Sequence, residues 1–174
     1  LVESAETLVI GREDGTRPKG SPLDPAVQLQ NHMPGGAWDP MTDYAMMSRN
    51  VRGFMSLFHG EKPVVCKVHG FCVAGGTDLA LLCDIVIAAH DAHIGFPPVR
   101  AMGGPPAHMW TYLVGPQWAK YMLLTGEFVT GAEAERIGLV SQVVPENELD
   151  SYVETLAKEI ASRTPTRHQH CHRQ

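Results

Sequence analysis

The stretch from Lys62 to Pro98, KPVVCKVHGFCVAGGTDLALLCDIVIAAHDAHIGFPP, restricts the fold more than any other part of the chain. Its first run, Val64-Val65-Cys66-Lys67-Val68, is short and β-branched and is bounded by Pro63 and Gly70, which predicts a buried strand. Beyond the adjacent glycines Gly75 and Gly76, Thr77 to Cys83 is mostly apolar and rich in helix formers, so a short buried helix is expected. Asp84 then leads into Ile85-Val86-Ile87-Ala88-Ala89, a second buried strand, and reads as a structural residue that caps or pins the strand start. Strand, glycine turn, helix and strand together make an α/β unit.

A length of 174 residues fits one domain with a real core. Residues 11–43 are too dense in Gly and Pro for long regular elements and read as an extended loop, either a functional lid or mobile. From Asp43, Met47, Val51, Phe54 or Met55, and Phe58 recur at helical spacing, with Thr42 placed as the cap and Gly60 near the end. Met46, Met47, Phe54 and Met55 are expected to line a core or a pocket. Short helices are expected at Trp110–Val114 and Trp118–Leu124, on either side of Gly115-Pro116. Thr130-Gly131-Ala132-Glu133 matches a capping box that opens a helix stopping at Gly138. Val140–Val144 reads as a strand, and Leu149, Val153, Leu156 and Ile160 as one face of a last helix capped by Asn147.

Fourteen Lys and Arg against nineteen Asp and Glu leave a net charge of −5, so a nucleic-acid or anionic-membrane partner is not expected. No run approaches the ~20 apolar residues of a spanning helix. Cys66, Cys72, Cys83 and Cys171 lack CxxC spacing, which favours a reducing compartment, the cytoplasm by default. The tail His168-Gln169-His170-Cys171-His172 has ligands suited to zinc or nickel, but residues 163–174 are read as a disordered end and no metal site is expected.

Two adjacent glycines between a strand and a helix leave backbone N–H groups unobstructed at the positive end of the helix dipole. Such a turn is either a turn only or a site for an anion or developing oxyanion. Lys62-Pro63-Val64, His69-Gly70-Phe71, Gly75-Gly76, Asp78-Leu79-Ala80, Cys83-Asp84 and Gly95-Phe96-Pro97 resemble the core signature of the crotonase superfamily, the enoyl-CoA hydratases and isomerases. Leu124-Thr125-Gly126-Glu127, Ala132-Glu133-Ala134 and Ile137-Gly138-Leu139-Val140 resemble a second signature of the same family, and the match runs over roughly residues 61 to 162.

The resemblance implies a crotonase-type spiral of ββα units over residues 1–162, incomplete at both ends, since the chain opens on Leu1. It also implies an acyl-CoA substrate, no cofactor beyond the coenzyme A of that substrate, and a homotrimer or a pair of stacked trimers. Gly75 maps onto one donor of the oxyanion hole, and the other is expected from a loop that precedes Leu1 in the family. Phe71, Gly76 and Pro98 are carried over as substrate-binding positions.

Two glutamates handle the water in the family's hydratases. Their positions are held here by Asp78 and Pro98, and proline cannot transfer a proton. Asp78 is therefore the expected acid/base, against the alternative of a helix residue held by a cation or a backbone cap. One carboxylate suffices for double-bond isomerisation, where a single proton is shuttled. His93, Arg100 and His108 flank the Gly-Phe-Pro-Pro segment and are the candidates to replace the missing acid. The functional expectation is an acyl-CoA-processing enzyme of hydratase/isomerase type, with a non-catalytic acyl-CoA-binding protein or an inactive remnant as alternatives. The 11–43 loop is the place where acyl-chain length would be selected.

Overall fold

The computed structural model describes residues 6–10, 40–100 and 103–163. Most of the Gly/Pro-rich loop, residues 11–39, and the histidine-bearing tail, residues 164–174, lie outside the described residues, as do the side chains of Thr42 and Met46. Among the described residues, seven strands form two sheets. The first is wholly parallel, in the order β1 (Glu6–Ile10), β2 (Val64–Val68), β4 (Ile85–Ala89), β7 (Gln142–Val144). The second has three short strands in the order β3 (Phe71–Val73), β5 (His93–Gly95), β6 (Phe128–Thr130), with β3 and β5 parallel and β6 antiparallel. The helices are α1 (Pro40–Phe58), α2 (Gly75–Ala80), α3 (Met109–Thr125), α4 (Gly131–Arg136) and α5 (Glu146–Ala161), with a 3-10 turn at Pro97–Arg100.

The chain alternates between the sheets. β2 belongs to the first and β3 to the second, and α2 follows; β4 and β5 repeat the step before α3. These are ββα units, and the left-handed Gly70 (φ 58°) makes the corner between β2 and β3. Parallel strands covered on both faces read as continuous apolar runs, and Val64, Val65, Cys66 and Val68 of β2 and Val86 to Ala89 of β4 are all buried. α5 lies on this sheet through Leu149 and Val153, and its Asp150 pairs with Lys67. Asp84 does pin the strand: its Oδ2 accepts the Val64 N–H at 2.7 Å, and its own N–H reaches the Val64 carbonyl at 3.0 Å.

Several boundaries differ from the sequence expectation. α1 begins at Pro40, so Thr42 lies inside the helix and is not its cap. Met47 is exposed, whereas Phe54 and Met55 are half-buried. α2 begins at Gly75 and ends at Ala80, where Leu82 and Cys83 turn to i−3 bonding with Leu79 and Ala80. The two expected helices around Gly115-Pro116 form one element bent at Gly115 (φ 74°, ψ 169°). Thr130 Oγ1 caps α4 by accepting the Glu133 N–H at 3.2 Å, but the Glu133 carboxylate turns to Arg136, so only half of the capping box forms. Pro145, not Asn147, caps α5, through its carbonyl to Glu148 N–H at 2.9 Å. The strand expected at Val140–Val144 is the shorter β7.

Candidate active site

β3 delivers the chain to Ala74, whose φ of 52° and ψ of −125° place a non-glycine residue in a sparsely populated conformation. That kink reverses the chain into α2. The Ala74 carbonyl accepts the N–H groups of Thr77 (2.9 Å) and Asp78 (3.2 Å) and the Thr77 hydroxyl (2.6 Å). Gly75 and Gly76 thus precede the first intrahelical bond, with their amides in the opening turn of α2.

One helical turn further on, Asp78 is 3 % exposed, buried with Thr77 in an otherwise apolar core. Desolvation disfavours its charged form and raises its pKa from 3.8 to about 6, although the Ala107 N–H donates to it and pulls the other way. A carboxyl in that range both takes and gives a proton near neutral pH. Ala107 stands just before α3 at the end of the stretch Gly103 to Pro106, and it is the partner of Asp78 that sequence reasoning missed. The stiff Pro105-Pro106 pair ahead of it was the available signal.

Pro98 sits half-buried in the 3-10 turn, and its carbonyl accepts the Gly103 N–H at 3.2 Å. Asp78 and Pro98 are therefore tied to the two ends of one stretch, 103–107. The candidate replacement acids are placed otherwise. Arg100 donates from Nε to the Thr125 carbonyl and from Nη2 to Glu127, each at 2.9 Å, clamping the turn at Gly126. His93 stacks on Phe71 with ring centroids 5.0 Å apart, and Phe128 meets both rings edge-on. Phe71 is thus on the outer side of β3, with Cys72 on the core side. His108 is exposed in the left-handed conformation (φ 52°) at the start of α3. Among the described residues, no three His, Cys, Asp or Glu side chains gather where they could hold a metal ion, and no helix is long and apolar enough to cross a membrane.

Paired ββα steps, a kinked Gly-Gly entry to a short helix and a buried carboxyl in its first turn define a crotonase-type α/β architecture. The family model described as enoyl-CoA hydratase/isomerase matches residues 35–173, and the chain belongs to that family. It is 43% identical over 107 residues to a crotonyl-CoA hydratase of Syntrophomonas wolfei, covering 59% of this chain and 41% of the relative. A short-chain-enoyl-CoA hydratase of Clostridium acetobutylicum is 39% identical over 109 residues, covering 60% and 41%. The crystal structure of an enoyl-CoA hydratase from Mycobacterium smegmatis superposes with a TM-score of 0.81 at 44% identity, covering 96% of this chain and 60% of that one. The chain thus spans less than two thirds of the length of each of these proteins.

Proposed function

We propose that the chain carries the catalytic part of an acyl-CoA-processing enzyme that hydrates or isomerises an enoyl thioester with a single carboxylate. The observation that carries this reading is Asp78, a buried carboxyl with its pKa raised to about 6, one turn after the Gly75 amide. In this reading the thioester oxygen faces the Gly75 N–H, where the opening turn of α2 favours developing negative charge. For hydration, water adds to the β-carbon and gives its proton to the Asp78 carboxylate. The double-bond electrons move onto the thioester oxygen, and the same carboxyl returns the proton to the α-carbon. For isomerisation the carboxylate moves one proton between two carbons. Gly76 and Phe71 contribute to binding, and Pro98 shapes the site where a second acid would otherwise stand. The reading calls on no cofactor beyond the coenzyme A of the substrate; a trimeric or hexameric assembly in the cytoplasm accompanies it on the family resemblance and the cysteine pattern.

Pro98 favours one further reading, a protein that holds acyl-CoA without chemistry. Mixing the chain with crotonyl-CoA and following loss of the conjugated thioester absorbance separates the two. Turnover above a heat-killed control, abolished in Asp78→Ala with thioester binding kept, is the expected result. Binding without turnover of either crotonyl-CoA or its β,γ-unsaturated isomer would establish the second reading, and unchanged turnover in Asp78→Ala would remove Asp78 from the mechanism.

A further inference from the structure

Among the described residues, Thr77 and Asp78 are the buried polar side chains, and the chemistry proposed above uses only Asp78. Thr77 is 0 % exposed, and its hydroxyl donates to the Ala74 carbonyl at 2.6 Å. The same oxygen accepts the N–H groups of Thr77 at 2.9 Å and Asp78 at 3.2 Å. Three donors thus converge on the carbonyl of the Ala74–Gly75 peptide. A trans peptide is planar, with its C=O and N–H pointing in opposite directions. Holding the Ala74 oxygen towards the first turn of α2 therefore holds the Gly75 N–H on the opposite side, facing away from the helix.

The backbone of Ala74 works against this orientation. At φ 52° and ψ −125° an alanine lies outside the regions its Cβ allows, in a conformation that glycine adopts readily. Turning this one peptide by about 180° would carry ψ to about +55°, inside the left-handed region open to alanine, and Gly75 can follow in φ. The carbonyl would then stand where the N–H stands now.

We propose that the Thr77 hydroxyl is a positioning group, which holds the strained Ala74–Gly75 peptide with its N–H on the substrate side and opposes a flip that would present a carbonyl there. The proposal rests on the reading that the Gly75 N–H is the oxyanion donor. Any residues at 77 and 78 would supply the two backbone bonds to Ala74, so the hydroxyl is the part of the restraint that depends on the side chain. Thr77 acts through the peptide and touches no substrate atom. With the peptide flipped, negative charge developing on the thioester oxygen would meet an acceptor in place of a donor, so turnover belongs to the unflipped form.

The test compares Thr77→Val, which keeps the shape and removes the donor, with Thr77→Ser, which keeps the donor. Crotonyl-CoA turnover is measured per folded chain, the folded fraction being read by circular dichroism. In Thr77→Val, kcat should fall about tenfold with KM unchanged, the pattern of an interaction made in the transition state. Thr77→Ser should keep most of the wild-type kcat. Adding Ala74→Gly to Thr77→Val should raise kcat again, because glycine relieves the strain that drives the flip. Crystal structures of the wild type and Thr77→Val read the peptide independently of turnover. They should show the present orientation in the wild type and the flipped peptide, in whole or in part, in Thr77→Val. An unflipped peptide in Thr77→Val, a kcat equal to that of an active wild type, or an equal fall in Thr77→Ser would overturn the proposal. A wild-type chain without turnover whose peptide still flips in Thr77→Val would uphold the hold of Thr77 on the peptide and remove the reading of Gly75 as oxyanion donor.

Discussion

Replacing Asp78 with Asn tests whether the buried carboxyl is held in the strained protonation state described above. Its pKa rises from 3.8 to about 6, so the native state binds the proton more tightly than the unfolded chain. At about 1.4 kcal/mol per pH unit, this amounts to about 3 kcal/mol of stability. Because the folded pKa is the higher one, that stability is fully present below about pH 4 and is lost as pH rises through 6. Asn stays neutral throughout and keeps an oxygen that can accept the Ala107 N–H. In urea unfolding at a series of pH values, Asp78→Asn should therefore match the wild type near pH 4 and exceed it by about 3 kcal/mol at pH 7. Glu133 and Asp150, held below their ordinary values by Arg136 and Lys67, act in the opposite direction, but they are present in both proteins and cancel in the difference. A difference between the two proteins that stays constant from pH 4 to pH 7 would refute the reasoning.

Substitutions at three further positions probe the scaffold by thermal or denaturant unfolding. A Cβ at Gly131 would stand 2.0 Å from the Ala89 carbonyl oxygen, between α4 and the end of β4, so Gly131→Ala should cost at least about 3 kcal/mol. Asp84→Ala leaves the Val64 N–H without its 2.7 Å partner and should cost about 1–2 kcal/mol. Trp110 is 1 % exposed, and its Nε1–H has no hydrogen-bond partner among the described residues. Trp110→Ala should lose about 3–5 kcal/mol, whereas Trp110→Phe, which also removes the unpartnered donor, should stay within about 1 kcal/mol of the wild type.

The central α/β unit was legible because β4 is an unbroken apolar run and β2 is one but for Lys67, as strands covered on both faces are, and Gly75-Gly76 marks the entry to α2. The strands of the second sheet were not. β3, β5 and β6 are three residues each, and their outer positions, Phe71, His93 and Phe128, are occupied by aromatic rings that do not alternate with polar residues as a half-exposed strand would. β1 takes its place in a parallel pairing with β2 whose partners are 58 positions apart, a contact that local pattern does not encode. At the site, Gly75 and Asp78 were found through the family resemblance, and their proximity on one short helix follows from spacing alone. The burial of Asp78 and its bond from Ala107 depend on the 103–107 stretch reaching α2 from about 30 positions further along the chain, which lies beyond the reach of any local motif.

The central claim is that one carboxylate, Asp78, moves a proton next to a thioester whose oxygen faces the Gly75 amide. It is tested most directly by following the α-protons of a saturated thioester, butyryl-CoA, by NMR in deuterated water. The account predicts that the wild-type chain exchanges them for deuterium and that Asp78→Asn slows the exchange by about 10²-fold or more, with butyryl-CoA binding retained. Equal exchange by the two proteins would contradict it.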